Sequence, residues 1–110
     1  MKGKAVIPRE RAERDIDTAA GYYFEEGGAD LALRFINALE SATRHIAANP
    51  ATGSPRYASA LALPGLRFWS LKRFPYLIFY VERADHVDVW RVLHGQRDIP
   101  AWLREEDEGA

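Results

Sequence analysis

Six side chains in the second half of the chain carry most of the chemistry that the sequence offers: Arg67, Lys72, Arg73, Arg91, His94 and Arg97. Arginine presents a planar fork of donors that suits phosphates and carboxylates, whereas lysine presents a compact positive charge. His94 is the member of the set able to exchange a proton near neutrality, because an unperturbed imidazole titrates at about 6.5. Such a group suits RNA cleavage, with the arginines stabilising charge on phosphorus. A structural reading stands beside it: a histidine at a strand end anchors the backbone, and Arg97 with Asp98 forms a local ion pair that fixes a turn. His45, His86 and His94 fall on different elements without ligand spacing, so no metal site and no cofactor are expected. The sequence has no phosphate-binding glycine loop, no nucleophile elbow and no serine in an activating context.

The elements that must position these residues follow from periodicity. Tyr76–Glu82 and Val87–His94 are β-branched and aromatic runs joined by Arg83-Ala84-Asp85-His86, the pattern of a β-hairpin. Simple alternation puts Val87, Val89, Arg91 and Leu93 on one face of the last strand and Trp90, Val92 and His94 on the other. Leu66–Leu71 reads as a preceding strand, and Gly3–Ile7, stopped by Pro8, as a first strand at a sheet edge. Between them Ala12, Ile16, Ala19 and Tyr23 recur at helical spacing, as do Ala32, Phe35, Ile36, Leu39, Ala42 and Ile46. Gly27-Gly28 breaks the two helices, and Asn49-Pro50 ends the second. Residues 51–65 read as a partly ordered loop with a turn or two of helix. The order β-α-α-β-β-β predicts an α+β fold: an antiparallel helix hairpin packed on one face of a small antiparallel sheet.

The chain has 110 residues, enough for one compact domain, with residues 1–104 forming it and 105–110 an acidic tail. Its formal net charge is −1, but the tail Glu105-Glu-Asp-Glu108 holds four of the 16 acidic residues. That leaves 12 acidic against 15 basic residues in 1–104, a mildly basic body that favours an anionic partner without specifying nucleic acid. No run is long enough to span a membrane and no signal core is present, so a cytoplasmic location is expected. The absence of cysteine excludes disulfides and thiolate metal sites and agrees with a reducing compartment. Both faces of the last strand are largely apolar, whereas two helices cover one face. The other must be covered by the chain itself, through the 51–65 loop or Trp102 and Leu103, or by a partner.

The run Arg91-Val-Leu-His-Gly-Gln-Arg-Asp98, after Pro75-Tyr-Leu-Ile-Phe-Tyr80 and after Asn49-Pro50 with Gly53, resembles the ParE branch of the RelE/ParE family of toxins from bacterial type II toxin–antitoxin systems. The resemblance covers nearly the whole chain, and the order of elements agrees with the family fold. It implies a toxin neutralised by a ParD-like antitoxin, whose ribbon-helix-helix domain binds operator DNA and whose extended segment wraps the toxin; the toxin would touch that DNA only through the antitoxin. Tyr22, Tyr23, Phe24, Trp69 and Trp90 become candidate antitoxin contacts. ParE-like members are described as inhibitors of DNA gyrase, a role associated with plasmid stabilisation, for which Arg91, His94, Arg97, Asp98 and Trp102 are candidate target contacts. RelE-like members cut mRNA on the ribosome, and in that alternative His94, Arg91, Arg67, Lys72 and Arg73 would be catalytic. The chain has no tyrosine after Tyr80 and lacks the strongly basic composition of a ribosome-bound nuclease. The gyrase-type reading is therefore preferred, with the ribonuclease and a decayed toxin that only binds its antitoxin as alternatives. On this reading His94–Asp98 locks the edge of a protein-binding surface.

Overall fold

One pair of glycines shapes the helical layer. In the computed structural model, which describes residues 3–97 and 99–109 with the last five as backbone only, helix α1 runs from Glu10 to Ala48. It is interrupted by non-helical dihedrals at Gly27 (φ −146°, ψ 16°) and Gly28 (φ 73°, ψ −166°). The second combination is essentially open to glycine alone. The break folds α1 into an antiparallel hairpin in which Tyr23 of the first arm meets Phe35 of the second, ring centroids 5.2 Å apart. Ala12 and Ala19 on one arm and Phe35, Leu39, Ala42 and Ile46 on the other are buried, as the helical periodicity requires. Among the described residues no helix is long and apolar enough to cross a membrane.

The hairpin lies on a four-stranded sheet of β1 (Ala5–Pro8), β2 (Leu66–Ser70), β3 (Tyr76–Glu82) and β4 (His86–His94) in the order β1-β4-β3-β2. β2, β3 and β4 are antiparallel, and β1 closes the β4 edge in parallel, with Ala5 opposite His86 and Pro8 opposite Val89. The sheet is thus mixed. A parallel pair needs a long crossover, and the whole of α1, β2 and β3 supplies it.

The faces of β4 differ from those that simple alternation gives. Phe79 pairs with Arg91 but Tyr80 with Val89, leaving Trp90 as the extra residue of a β-bulge. A bulge reverses the phase of alternation beyond it. Val87 and Val89 therefore share the α1-facing core with Val92, while Trp90 and Leu93 join Phe79 and Val81 on the opposite face.

That opposite face is covered by the chain itself. After a turn of 3-10 helix at Pro50–Thr52, the short helix α2 (Arg56–Ala60) and the following Leu63 pack on one part of it. Helix α3 (Ile99–Gly109) covers the rest, burying Ile99 and Leu103 and leaving Trp102 half-buried. Of the two readings of the surplus apolar surface, self-coverage holds for this face. The helical backbone continues through Gly109, with no break after residue 104.

The Asn49-Pro50 and Gly53 signature has a steric origin. The Tyr80 hydroxyl donates to the Pro50 carbonyl at 2.6 Å, and a Cβ on Gly53 would overlap that hydroxyl and lie 2.8 Å from Cζ of the same ring. Gly53 is extended (φ −64°, ψ 154°), so space rather than conformation demands glycine. Its carbonyl accepts from Arg67 Nη1 at 2.7 Å.

Candidate functional site

The fold disperses most of the basic residues singled out in the sequence and keeps Arg91 and Arg97 together at the Trp102 ring. Arg67 on β2 and Arg91 on β4 are separated by β3. Arg91 is 4% exposed, and its Nε and Nη2 donate to the two carboxylate oxygens of Asp15, each at 2.8 Å. The same carboxylate accepts the Val92 backbone N–H at 3.0 Å, so Asp15 ties the first arm of α1 to β4. Lys72 and Arg73, in the turn between β2 and β3, line a groove that His94 does not reach. Arg73 holds a left-handed backbone there, with φ 67°. Strand pairing does not make Arg67, Arg91 and Arg97 one cluster, because the first two are committed to partners inside the fold.

His94 ends β4 directly across the ladder from Tyr76, the rings meeting edge to face at 5.3 Å. Its Nδ1 accepts the Gln96 backbone N–H at 3.1 Å, which leaves Nε2 to carry the proton of the neutral ring. The Gly95 N–H donates to the Pro75 carbonyl at 2.8 Å and the Arg97 N–H to the His94 carbonyl at 3.0 Å. One backbone bond therefore ties the segment that leaves β4 to Pro75, just before β3, and the other ties it back to the end of β4. Arg97 is exposed, its guanidinium 4.6 Å from the centroid of the Trp102 ring, and Arg91 stands 5.0 Å from the same ring. Cations at such distances are drawn to the indole face. Asp98 lies outside the described residues.

Around this turn opens a cleft of about 720 Å³, lined by Tyr22 and Tyr23 from the first arm of α1, Tyr76 from β3, then His94, Arg97 and Trp102. Burial raises the pKa of Tyr76, with Tyr22 and Asp15 adding to the shift and Arg97 opposing it. Burial likewise raises Tyr23, reinforced by Tyr76 and Tyr22. These two phenols stay protonated near neutrality and act as hydrogen-bond donors, not bases. The cleft thus offers an imidazole, phenols and one exposed guanidinium beside apolar ring faces, a surface for protein or carboxylate recognition. Sequence reasoning marked Tyr22 and Tyr23 but missed Tyr76: counting back from Glu82 opposite Val87 sets Tyr76 opposite Leu93, and the bulge at Trp90 shifts it to His94.

The aromatic residues marked as contacts separate by exposure. Tyr22 (55% exposed) and Phe24 (56%) project from α1 near its glycine break. Tyr23 is half-buried against Phe35, Phe74 and Tyr76. Trp69 is half-buried and stacked on His45 at 3.9 Å. Trp90 is 7% exposed, beneath the Arg9 guanidinium and donating its indole N–H to Asp88 at 3.2 Å; it leaves little surface to offer.

The second concavity is larger, about 780 Å³, between the second arm of α1 and the β2–β3 turn. Arg34, His45, Lys72 and Arg73 stand around it, over a floor that includes Leu31, Ala38, Trp69 and Phe74. Among the described residues no group of three or more His, Cys, Asp or Glu side chains is arranged to hold a metal ion.

Comparison with known proteins finds both a family model and solved structures similar to this chain. Residues 6–99 match the family model described as ParE toxin of type II toxin-antitoxin system, parDE. A solved chain described as belonging to the chromosomal ParDE TA system from P. aeruginosa superposes with a TM-score of 0.69 at 19% identity, over 83% of this chain and 95% of that one. At that identity the likeness speaks for the fold. No curated protein sequence matches significantly.

Proposed function

This chain belongs to the ParE toxin family of type II toxin–antitoxin systems, and from that premise we propose that a ParD-like antitoxin neutralises it and that the released toxin inhibits DNA gyrase without cutting nucleic acid. The observation that carries the second part is the dispersal of the basic set. An RNA-cleaving centre needs a proton-transfer group and cations within reach of one phosphate. Here Arg91 is committed to Asp15, Arg67 to the Gly53 carbonyl, and Lys72 and Arg73 to a different groove from His94. His94, Arg97 and Trp102, with Tyr22 beside them, form the target-facing surface. Exposed Tyr22 and Phe24 offer apolar area to the antitoxin, whose ribbon-helix-helix domain links the pair to operator DNA.

The test is a gyrase supercoiling assay with purified toxin, run beside a translation reaction in which mRNA integrity is followed. Supercoiling should fall as toxin is added and recover with antitoxin, while the mRNA stays whole. Intact supercoiling at excess toxin, together with mRNA cleavage that His94→Ala abolishes, would overturn the proposal in favour of the ribonuclease.

A further inference from the structure

We infer that the cleft between the first arm of α1 and the turn after β4 grips the target by an acidic side chain, an Asp or Glu carboxylate seated against Arg97, His94 and the phenols, with an apolar neighbour beside Trp102. The inference rests on the target-facing reading given above and names the chemistry that such a target must present.

The lining has donors to spare. Tyr22, Tyr23, Tyr76, His94 and Arg97 share one cleft, and no Asp or Glu is among the residues that line it. The rings stand close together, with centroids 5.2 Å apart for Tyr22 and Tyr23, 6.2 Å for Tyr23 and Tyr76, and 5.3 Å for Tyr76 and His94. Among the described residues none of these three phenol hydroxyls has a hydrogen-bond partner, whereas the Tyr80 hydroxyl is committed to Pro50. His94 Nδ1 already accepts the Gln96 N–H, so the imidazole has its Nε2–H left to give. The Arg97 charge is felt at the Tyr76 phenol, where it opposes the effect of burial, so guanidinium and phenol act on the same space. Its backbone N–H bond to the His94 carbonyl at 3.0 Å fixes the cation beside the imidazole. Burial keeps Tyr23 and Tyr76 protonated, and donors gathered without a carboxylate among them favour an anion.

Charge then selects among anions. Arg97 makes no ion pair among the described residues, whereas Arg91, the other guanidinium at the Trp102 ring, is 4% exposed and neutralised by Asp15. One uncompensated cation matches a singly charged carboxylate; a phosphate dianion or a nucleic-acid backbone draws on several. Space asks for more than the carboxylate alone. The cleft holds about 720 Å³, and its remaining walls include Pro75, the exposed Tyr22 ring and half-buried Trp102. An apolar residue next to the acidic one fills these walls and excludes water from the charge pair, which strengthens it. The Trp102 ring that draws in the Arg97 guanidinium at 4.6 Å also holds it at the edge of this apolar surface.

The purified toxin is titrated with acetyl-Phe-Glu-amide, with its uncharged counterpart acetyl-Phe-Gln-amide and with phenyl phosphate, and binding is followed through the NMR signals of the His94 ring and the Trp102 indole. Wild type should prefer the Glu peptide to the Gln peptide by about 10-fold. Arg97→Gln, with native circular dichroism, should bring the two within about twofold of each other, and Arg97→Lys should restore part of the preference. Binding of neither peptide, or of both alike, would overturn the carboxylate site, and tighter binding of phenyl phosphate would overturn it in favour of phosphate. In the supercoiling assay, saturating Glu peptide should relieve inhibition while the Gln peptide does not. Inhibition undiminished by the Glu peptide would overturn the role of the cleft in gripping the target. A toxin that selects the Glu peptide yet never inhibits gyrase would overturn the target proposed above and leave the carboxylate site standing.

Discussion

Replacing Asp15 should unlock the molecule more than any other single carboxylate change. Its two oxygens receive Arg91 Nε and Nη2 at 2.8 Å and the Val92 N–H at 3.0 Å, and the two side chains are only 14% and 5% exposed. In Asp15→Ala the Arg91 guanidinium stays buried without that carboxylate, a loss that costs about 3–5 kcal/mol for pairs of this kind. Domains of this size have about 5–15 kcal/mol in total, so the variant approaches the folding threshold and its melting temperature falls by more than about 10 °C. Removing both charges together, in Asp15→Leu/Arg91→Met, eliminates the stranded cation. Of the bonds that Asp15 accepts, the one from the Val92 N–H then lacks its acceptor, at about 1–3 kcal/mol. Urea titration of the single and double variants gives the coupling energy directly. A cost below about 1 kcal/mol for Asp15→Ala, or a double variant no more stable than the single one, would refute the reasoning. The folded double variant also separates structure from recognition. If the toxin inhibits gyrase as proposed and Arg91 serves as an internal tie, inhibition should survive its replacement, whereas a folded but inactive protein would make Arg91 a target contact.

Other expectations follow from the same geometry. Gly53→Ala pushes a methyl group into the Tyr80 phenol and should destabilise the fold by about 1–3 kcal/mol, read as a lower urea midpoint with unchanged slope. Asp88 accepts from Arg9 at 3.0 and 3.1 Å, from Arg83 at 3.0 Å and from the Trp90 indole. Burial alone would raise its pKa, but these donors outweigh it and hold the carboxyl below the usual range. Its contribution is therefore complete above the unfolded pKa of about 3.9 and lost as pH falls through the lower folded value. Asp88→Asn should flatten the acid limb of stability measured between about pH 5 and pH 2; a limb of unchanged steepness would contradict the assignment.

Much of the architecture was legible because local signals agreed with the global fold. The helical stripes, the Gly27-Gly28 break and the β3–β4 hairpin each have a period or a breaker that acts within a few residues. Helix α3 was less visible: Ile99, Trp102 and Leu103 make one short apolar patch before a run of acidic residues, and the segment reads as a tail. The bulge at Trp90 has no local marker, since the residue could continue either face, and it inverted the alternation of half a strand. At the candidate site the loss was greater. Arg91 looked available because its partner lies 76 residues away on α1, and Lys72 and Arg73 looked like neighbours of His94 because sequence distance says nothing about which side of a sheet a turn faces. Where a charge finds its counter-charge is a tertiary property.

The parallel union of β1 with β4 sets when this chain can become a folded toxin. Ala5 waits for His86, and Arg9 for Val89 and Asp88, so the first strand has no ladder until the last one has been made. β4 is also the only strand joining β1 to the rest of the sheet. A growing chain that stops anywhere before it holds two helical arms and at most the β2–β3 pair, too little to close a core. Closing a loop of about 80 residues is slow compared with forming local hairpins. Assembly of the sheet is thus deferred until β4 has been made, and a chain that stops short of it cannot seat its first strand.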